Sequence, residues 1–326
     1  MKSTDSEIGT DDYLLQVQDL SIGVEQSQKL LQLTDRVSFK LKKGEIHGLI
    51  GESGCGKSIS SLAIMGILPQ PGGKLLSGKV LFKNEDIFCL DETSINSLRG
   101  NKISMIFQEP FAAMNPLIRI GEQMLENFDY HQTNFDRHQK IRELLNEVGL
   151  TDHTRILQSY PHELSGGMLQ RIMIAMSLLL DPDLLIADEP TTALDVTVQA
   201  QIMSLIVRLC KERKMSVLLI SHNISLMAQY ADSISVMYAG QIVETNEISA
   251  FLTDASHPYS RGLIQAIPTL DKAGDKIIPI SGQVPEPGKF ATGCRFMERC
   301  PVSAAICSNP PPEKNIGDLG RYRCHY

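Results

Sequence analysis

The chain has 326 residues, of which 42% are hydrophobic and 21% charged, with 31 basic against 38 acidic side chains for a net charge of −7. This balance sets aside disordered and fibrous classes and gives no chain-wide electrostatic reason to bind nucleic acid or an anionic membrane surface. The length allows one large α/β domain with a smaller appendage.

Met1 to Asp12 is polar and acidic and lacks the charged-then-apolar order of a secretory signal. The longest apolar stretch, Met168 to Leu180, is broken by Gln170, Arg171 and Ser177 and falls short of the ~20 residues that cross a bilayer. A cytosolic protein is expected.

The apolar run Ile46–Ile50 reads as a buried strand and leads into Gly51-Glu52-Ser53-Gly54-Cys55-Gly56-Lys57-Ser58, a complete G-x-x-x-x-G-K-[ST] phosphate loop. Its glycines let the backbone curl so that successive N–H groups face an anion. Lys57 is placed to reach the β- and γ-phosphates and the Ser58 hydroxyl to bind Mg²⁺. The following helix adds its positive dipole end. Alone, this motif predicts a site for ATP or GTP.

A second buried strand, Ile103–Phe107, ends at Gln108. From there to Leu164 strand signals give way to helical patches at Ile120–Phe128 and His138–Val148, the latter stopping at Gly149, which predicts a helical subdomain over about 110–165. Leu164-Ser165-Gly166-Gly167-Met168 opens a helix-patterned stretch and offers a second anion seat at its start. The apolar run Leu184–Ala187 closes on Asp188-Glu189, and Val217–Ile220 closes on Ser221-His222. Adjacent strand residues face opposite ways, so Asp188 is free to hold Mg²⁺ through water while Glu189 deprotonates the attacking water. In an open parallel sheet, ligands bind beyond the carboxyl ends of the strands, which brings these elements to one site.

After about Glu244 the composition shifts, and Ile280 to Gly288 reads as a Pro/Gly-rich linker. Four of the seven cysteines follow: Cys294, Cys300, Cys307 and Cys324, at spacings x5, x6 and x16. A reducing cytosol disfavours disulfides, and spacing alone leaves an iron–sulfur cluster, zinc and no metal open. Cys55 occupies a variable loop position, and Cys89 and Cys210 read as core residues.

Taken in order, the phosphate loop, Phe107-Gln108-Glu109, Leu164–Met168, Leu184–Glu189 with Pro190, Ala193-Leu194-Asp195 and Ser221-His222 resemble the motif set of an ATP-binding-cassette (ABC) ATPase over residues 12–245. The resemblance implies an ABC-type P-loop NTPase: an α/β fold with a RecA-like core, an antiparallel β subdomain and a helical subdomain. It divides the chain into a polar tail (1–12), an ATPase domain (13–245) and a small Cys-rich C-terminal extension (246–326). It also implies that Gln108 senses Mg²⁺ and the lytic water and that His222 contacts the γ-phosphate. Ser165, Gly166 and Gly167 then serve the ATP of a partner subunit, and Asp195 bridges the two sites. Where such proteins stack an aromatic ring on adenine this chain has Val24, and Tyr13 is some ten residues from that place, so the adenine contact stays unassigned.

The tail, with Gly293-Cys294-Arg295-Phe296-Met297-Glu298-Arg299-Cys300-Pro301 and Arg323-Cys324-His325-Tyr326, resembles that of dipeptide and oligopeptide importer ATPases. Some of these carry a [4Fe–4S] cluster on four such cysteines, with zinc as the alternative. The implied protein is an importer ATPase at the cytoplasmic face of the membrane. Its partners are a homologous ATPase in a heterodimer, two permease subunits and an extracytoplasmic solute-binding protein, with no nucleic acid. The competing expectations are a nickel or other small-solute importer and a soluble ABC ATPase of DNA repair or translation.

Overall fold

The computed structural model describes residues 12–26, 29–131, 136–191, 195–267, 280–317 and 320–326; most of the expected polar tail lies outside them. The strands are β1 (Tyr13–Gln26), β2 (Lys29–Lys42), β3 (Ile46–Ile50), β4 (Gly73–Phe82), β5 (Glu85–Asp86), β6 (Ile103–Ile106), β7 (Leu184–Asp188), β8 (Ser216–Ser221), β9 (Ser233–Tyr238), β10 (Gln241–Glu247), β11 (Glu313–Ile316) and β12 (Gly320–Arg323). The helices are α1 (Lys57–Ile64), α2 (Glu92–Leu98), α3 (Pro110–Ala113), α4 (Ile120–His131), α5 (Arg137–Glu147), α6 (His153–Gln158), α7 (Gly166–Ser177), α8 (Val196–Arg213), α9 (Ile224–Tyr230), α10 (Ile248–Asp254) and α11 (Pro258–Gln265). None of the described helices is long and apolar enough to cross a membrane.

Side-chain alternation sets the layering. Leu49, Ile103, Met105, Leu184, Ile186, Leu218 and Ile220 face one side of the main sheet and pack against β1, β2 and α1. Ile50, Ile106, Leu185, Ala187, Val217 and Leu219 face the other side and pack against the helices. Both faces of these strands are therefore buried, which is why they read as continuous apolar runs.

The main sheet runs β11-β12-β10-β9-β3-β8-β7-β6. The four expected strands pair in parallel, and β9 adds a fifth parallel strand beside β3. Serines interrupt the apolar run of β9: Ser233 and Ser235 hydrogen-bond the two ring nitrogens of buried His47 at 2.6 and 3.0 Å. Burial holds that imidazole neutral, with its pKa lowered to about 4. The strand expected at Ile103–Phe107 stops at Ile106, and Phe107 is exposed.

A second, antiparallel sheet, β2-β1-β4-β5, covers one face of the core. The described residues between 110 and 163 carry helices and short turns; α4 buries Ile120, Met124 and Phe128, and α5 buries Ile141, Leu144 and Leu145, each on one helical face. Asp136 and Asp152 cap α5 and α6 by accepting from Gln139 and Arg155 N–H.

The extension rejoins the main sheet. β12 pairs antiparallel with β10 through Glu244↔Tyr322 and Thr245↔Arg321, and β11 pairs with β12. The boundary expected after residue 245 thus falls within β10. Glu244 also accepts the Ser256 and His257 N–H groups at 2.9 and 2.8 Å, tying the chain that leads into α11 back to β10.

Gly78 lies opposite an irregularity of β1, between Gln18 and Ser21, with φ of 93°. A Cβ there would stand 2.4 Å from the Asp19 carbonyl oxygen. Gly78→Ala is expected to destabilise the protein by about 1–3 kcal/mol, seen as a lower midpoint in denaturant unfolding.

Candidate functional site

β3 ends at Ile50, and the chain turns through the phosphate loop into α1. Gly56 caps that helix in the left-handed region at φ 110°, where a side chain would be strained and would also meet Met237 Cε at 2.7 Å. Lys57 is buried, and its Nζ donates to the Gly51 and Glu52 carbonyls at 2.8 and 3.1 Å, so the ammonium is held on the loop's own backbone.

β7 delivers the two neighbouring carboxylates, both buried. Burial pushes the Asp188 carboxyl above its usual range, opposed by a hydrogen bond from Ser58 and by Lys57 and reinforced by Glu189. Its Oδ1 has no hydrogen-bond partner. A buried, unsatisfied carboxylate oxygen next to a hydroxyl suits a hard divalent cation, so Ser58 and Asp188 fit Mg²⁺.

Glu189 is in the left-handed region at φ 47°, and its N–H donates to the Ile220 carbonyl at 2.9 Å. Its carboxylate is held on both sides: Gln108 Nε2 donates to Oε2 at 3.1 Å, and His222 Nδ1 lies 3.3 Å from Oε1. Gln108 follows β6 and His222 follows β8, the strands flanking β7. The His222 side chain is 55% exposed against 10% for Glu189, so the imidazole faces the open side of the cluster.

Ser165 caps α7, accepting the Met168 N–H at 3.3 Å. A Cβ on Gly166 would meet nothing within 4 Å, and one on Gly167 only Val198 at 3.7 Å, so packing within the chain does not require glycine at either position. Asp195 caps α8 by accepting the Thr197 and Val198 N–H groups; Ala193 and Leu194 lie outside the described residues.

Residues 34–192 match the ABC transporter family, and residues 243–307 match the oligopeptide/dipeptide transporter C-terminal region. The oligopeptide transport ATP-binding protein AppD of Bacillus subtilis is 42% identical over 95% of this chain and 96% of its own length. The dipeptide transport ATP-binding protein DppD of Escherichia coli is 41% identical over 96% of each chain. This chain belongs to the ABC transporter ATP-binding proteins of the oligopeptide/dipeptide group. Its fold matches that of a dimeric ATP-binding cassette in a post-hydrolysis state bound to ADP and Pi, at a TM-score of 0.63 and 24% identity over 72% of this chain and 98% of that one. It also matches cbiO1 from Clostridium perfringens, at a TM-score of 0.62 and 25% identity over 75% and 92%.

Tyr13 does not lie at the phosphate-loop end of β3. That ring stacks on Lys40 Nζ at 4.8 Å and pairs with Lys42, whose chain leads into the start of β3, whereas the phosphate loop follows its end. Val24 is half-buried in the β1–β4 pairing. Of the remaining cysteines Cys55 and Cys210 are buried, but Cys89 is exposed on the turn after β5, so it is no core residue.

In the extension Cys294, Cys307 and Cys324 are buried and Cys300 is partly so, all as free thiols. Burial raises the Cys294 thiol pKa, and the Cys307, Cys324 and Cys300 sulfurs raise it further. Among the described residues, however, no group of three or more His, Cys, Asp or Glu side chains is arranged to hold a metal ion. The expected [4Fe–4S] cluster, or zinc in its place, is not supported by this arrangement, and Cys324 lies beyond the matched C-terminal region.

The motif reading missed three residues that meet at the phosphate loop. Arg299 pairs with the Glu52 carboxylate at 3.0 and 3.1 Å, and the Glu52 N–H donates to the Tyr259 hydroxyl at 3.1 Å. Glu52 occupies a variable motif position, and its partners are more than 200 residues away in sequence, so no local signal marks them.

Asp188→Asn should raise the Mg²⁺ concentration for half-maximal ATP hydrolysis about tenfold or more, in keeping with the loss of a charged metal-binding oxygen, as measured by titrating Mg²⁺ at fixed ATP.

Proposed function

We propose that this chain is the ATP-hydrolysing subunit of an importer of dipeptides and oligopeptides. The observation that carries the chemistry is the Glu189 carboxylate held between Gln108 and His222, beside a phosphate loop with Ser58 and Asp188. The names of the relatives, which cover nearly the whole chain, support the substrate class. They give no support to a nickel or other small-solute importer or to a soluble ATPase of DNA repair or translation.

In this reading ATP lies with its phosphates on the N–H groups of Gly51, Ser53, Gly54, Cys55, Gly56, Lys57 and Ser58. Lys57 exchanges its backbone carbonyl partners for phosphate oxygens. Ser58 and Asp188 hold Mg²⁺, which neutralises phosphate charge when bound. Glu189 takes a proton from water as its oxygen attacks the γ-phosphorus and the bond to the ADP oxygen breaks. Gln108 orients that water and touches the metal, and His222 steadies the γ-phosphate.

We assign the ATPase domain to residues 13–245, with a helical subdomain at 110–165, and the extension to 246–326. The open space at Gly166 and Gly167 supports close approach of a second molecule. Together with Ser165 they serve ATP bound to a homologous partner subunit, and Asp195 lies at that junction. The heterodimer docks on two permease subunits at the cytoplasmic face, and an extracytoplasmic protein delivers the solute. In vesicles carrying the assembled importer, Glu189→Gln is expected to cut ATP turnover and uptake of a labelled dipeptide by about 10²–10⁴-fold, with ATP binding retained. Wild-type turnover in that variant rejects the base assignment, and ATP hydrolysis without peptide uptake rejects the substrate class.

The ligand set Cys294, Cys300, Cys307 and Cys324 is supported by donor type alone, four free thiols of a kind that suits a soft metal. A [4Fe–4S] cluster on these four predicts stoichiometric iron and acid-labile sulfide after anaerobic purification. Zinc alone, or no metal, rejects the cluster.

A further inference from the structure

We propose that Arg299 is a positioning residue for ATP binding, bracing the phosphate loop from the extension through Glu52. The proposal rests on the ATPase reading above.

Glu52 is the second residue of the loop, at a position the phosphate-binding motif leaves open. Each of its polar groups is nonetheless engaged. Its N–H donates to the hydroxyl of Tyr259 at 3.1 Å, and its carbonyl accepts from Lys57 Nζ at 3.1 Å. Its carboxylate receives both terminal nitrogens of Arg299, Nη1 to Oε1 at 3.0 Å and Nη2 to Oε2 at 3.1 Å. Two of these three partners, Tyr259 and Arg299, belong to the extension. The third is the lysine of the motif. The extension is therefore one residue's backbone away from the phosphate-binding ammonium.

Arg299 is itself fixed. Its side chain is 6% exposed, its Nε donates to the Ser281 carbonyl at 2.8 Å, and Nη1 also donates to the Tyr238 hydroxyl at 3.3 Å. The guanidinium lies 5.6 Å from the Tyr238 ring centroid and 5.9 Å from that of Phe296, and the Tyr238, Tyr259 and Phe296 rings pack on one another at 4.8–5.3 Å. Desolvating an arginine is costly, and apolar side chains can often fill such a space at no loss of stability. What apolar packing cannot supply is a planar, bidentate grip that fixes the orientation of one carboxylate. The grip falls on the loop whose N–H groups must keep a single curvature to bind phosphate.

A loop freed from this brace should still fold, but it should have to be ordered by the nucleotide, which weakens binding without touching the reacting atoms. Arg299→Ala is expected to raise KM and Kd for Mg-ATP about tenfold while kcat changes less than about twofold. Arg299→Lys should recover only part of the loss, because an ammonium cannot grip both oxygens. Glu52→Gln should lie between wild type and Arg299→Ala, and the Glu52→Gln/Arg299→Ala double variant should be no worse than Arg299→Ala alone.

The measurements are Mg-ATP titration calorimetry and thermal unfolding on the full-length chain, and steady-state hydrolysis on the assembled importer. A lower unfolding midpoint with KM and Kd unchanged assigns Arg299 a purely structural role and overturns the proposal. Should Arg299→Ala fail to fold, Arg299→Lys and Glu52→Gln decide, and wild-type affinity in both overturns it equally. Failure of the wild type to bind Mg-ATP overturns the ATPase reading and this proposal with it, whereas tight wild-type binding with unaltered variants removes this proposal alone.

Discussion

Parallel pairing of β6, β7, β8 and β3 is the constraint on which the site depends. Because these strands run the same way in continuous register, their last residues emerge at one edge. Gln108, Glu189 and His222 come from separate segments of the chain, yet each needs to reach only a few ångströms to meet. No loop has to be long, and none has to be placed independently. The Asp188 carboxylate at the end of β7 adjoins Ser58, and that of Glu189, one residue beyond the strand, lies between Gln108 and His222.

The left-handed conformation of Glu189 departs from that regularity. A non-glycine residue in this region costs on the order of 1–3 kcal/mol, and the ladder offsets it, because the Glu189 N–H still reaches the Ile220 carbonyl. Strand pairing is thus carried one residue past β7, and the side chain is turned toward its two partners. Local strain and catalytic geometry are the same feature.

Much of this was legible in the sequence because it is local. The four apolar runs became parallel strands, the helical patches became α4 and α5, and each polar strand end stands where the parallel sheet places it. β9 was illegible because its serines serve His47 and break the apolar run. The cysteine spacing announced a shared neighbourhood without the arrangement of a metal site. Arg299 and Tyr259 were invisible for a different reason: their partner is a variable residue of a motif, and only the returning chain brings them to it.

That return has a consequence for how the chain is made. β12 lies against β10 across an interval in which α10, α11 and the cysteine segment must all be translated. Throughout that interval a nascent polypeptide presents β10 as an unpaired edge, with a row of free N–H and C=O groups open to wrong partners. That edge is covered only when Tyr322 and Arg321 come to lie opposite Glu244 and Thr245.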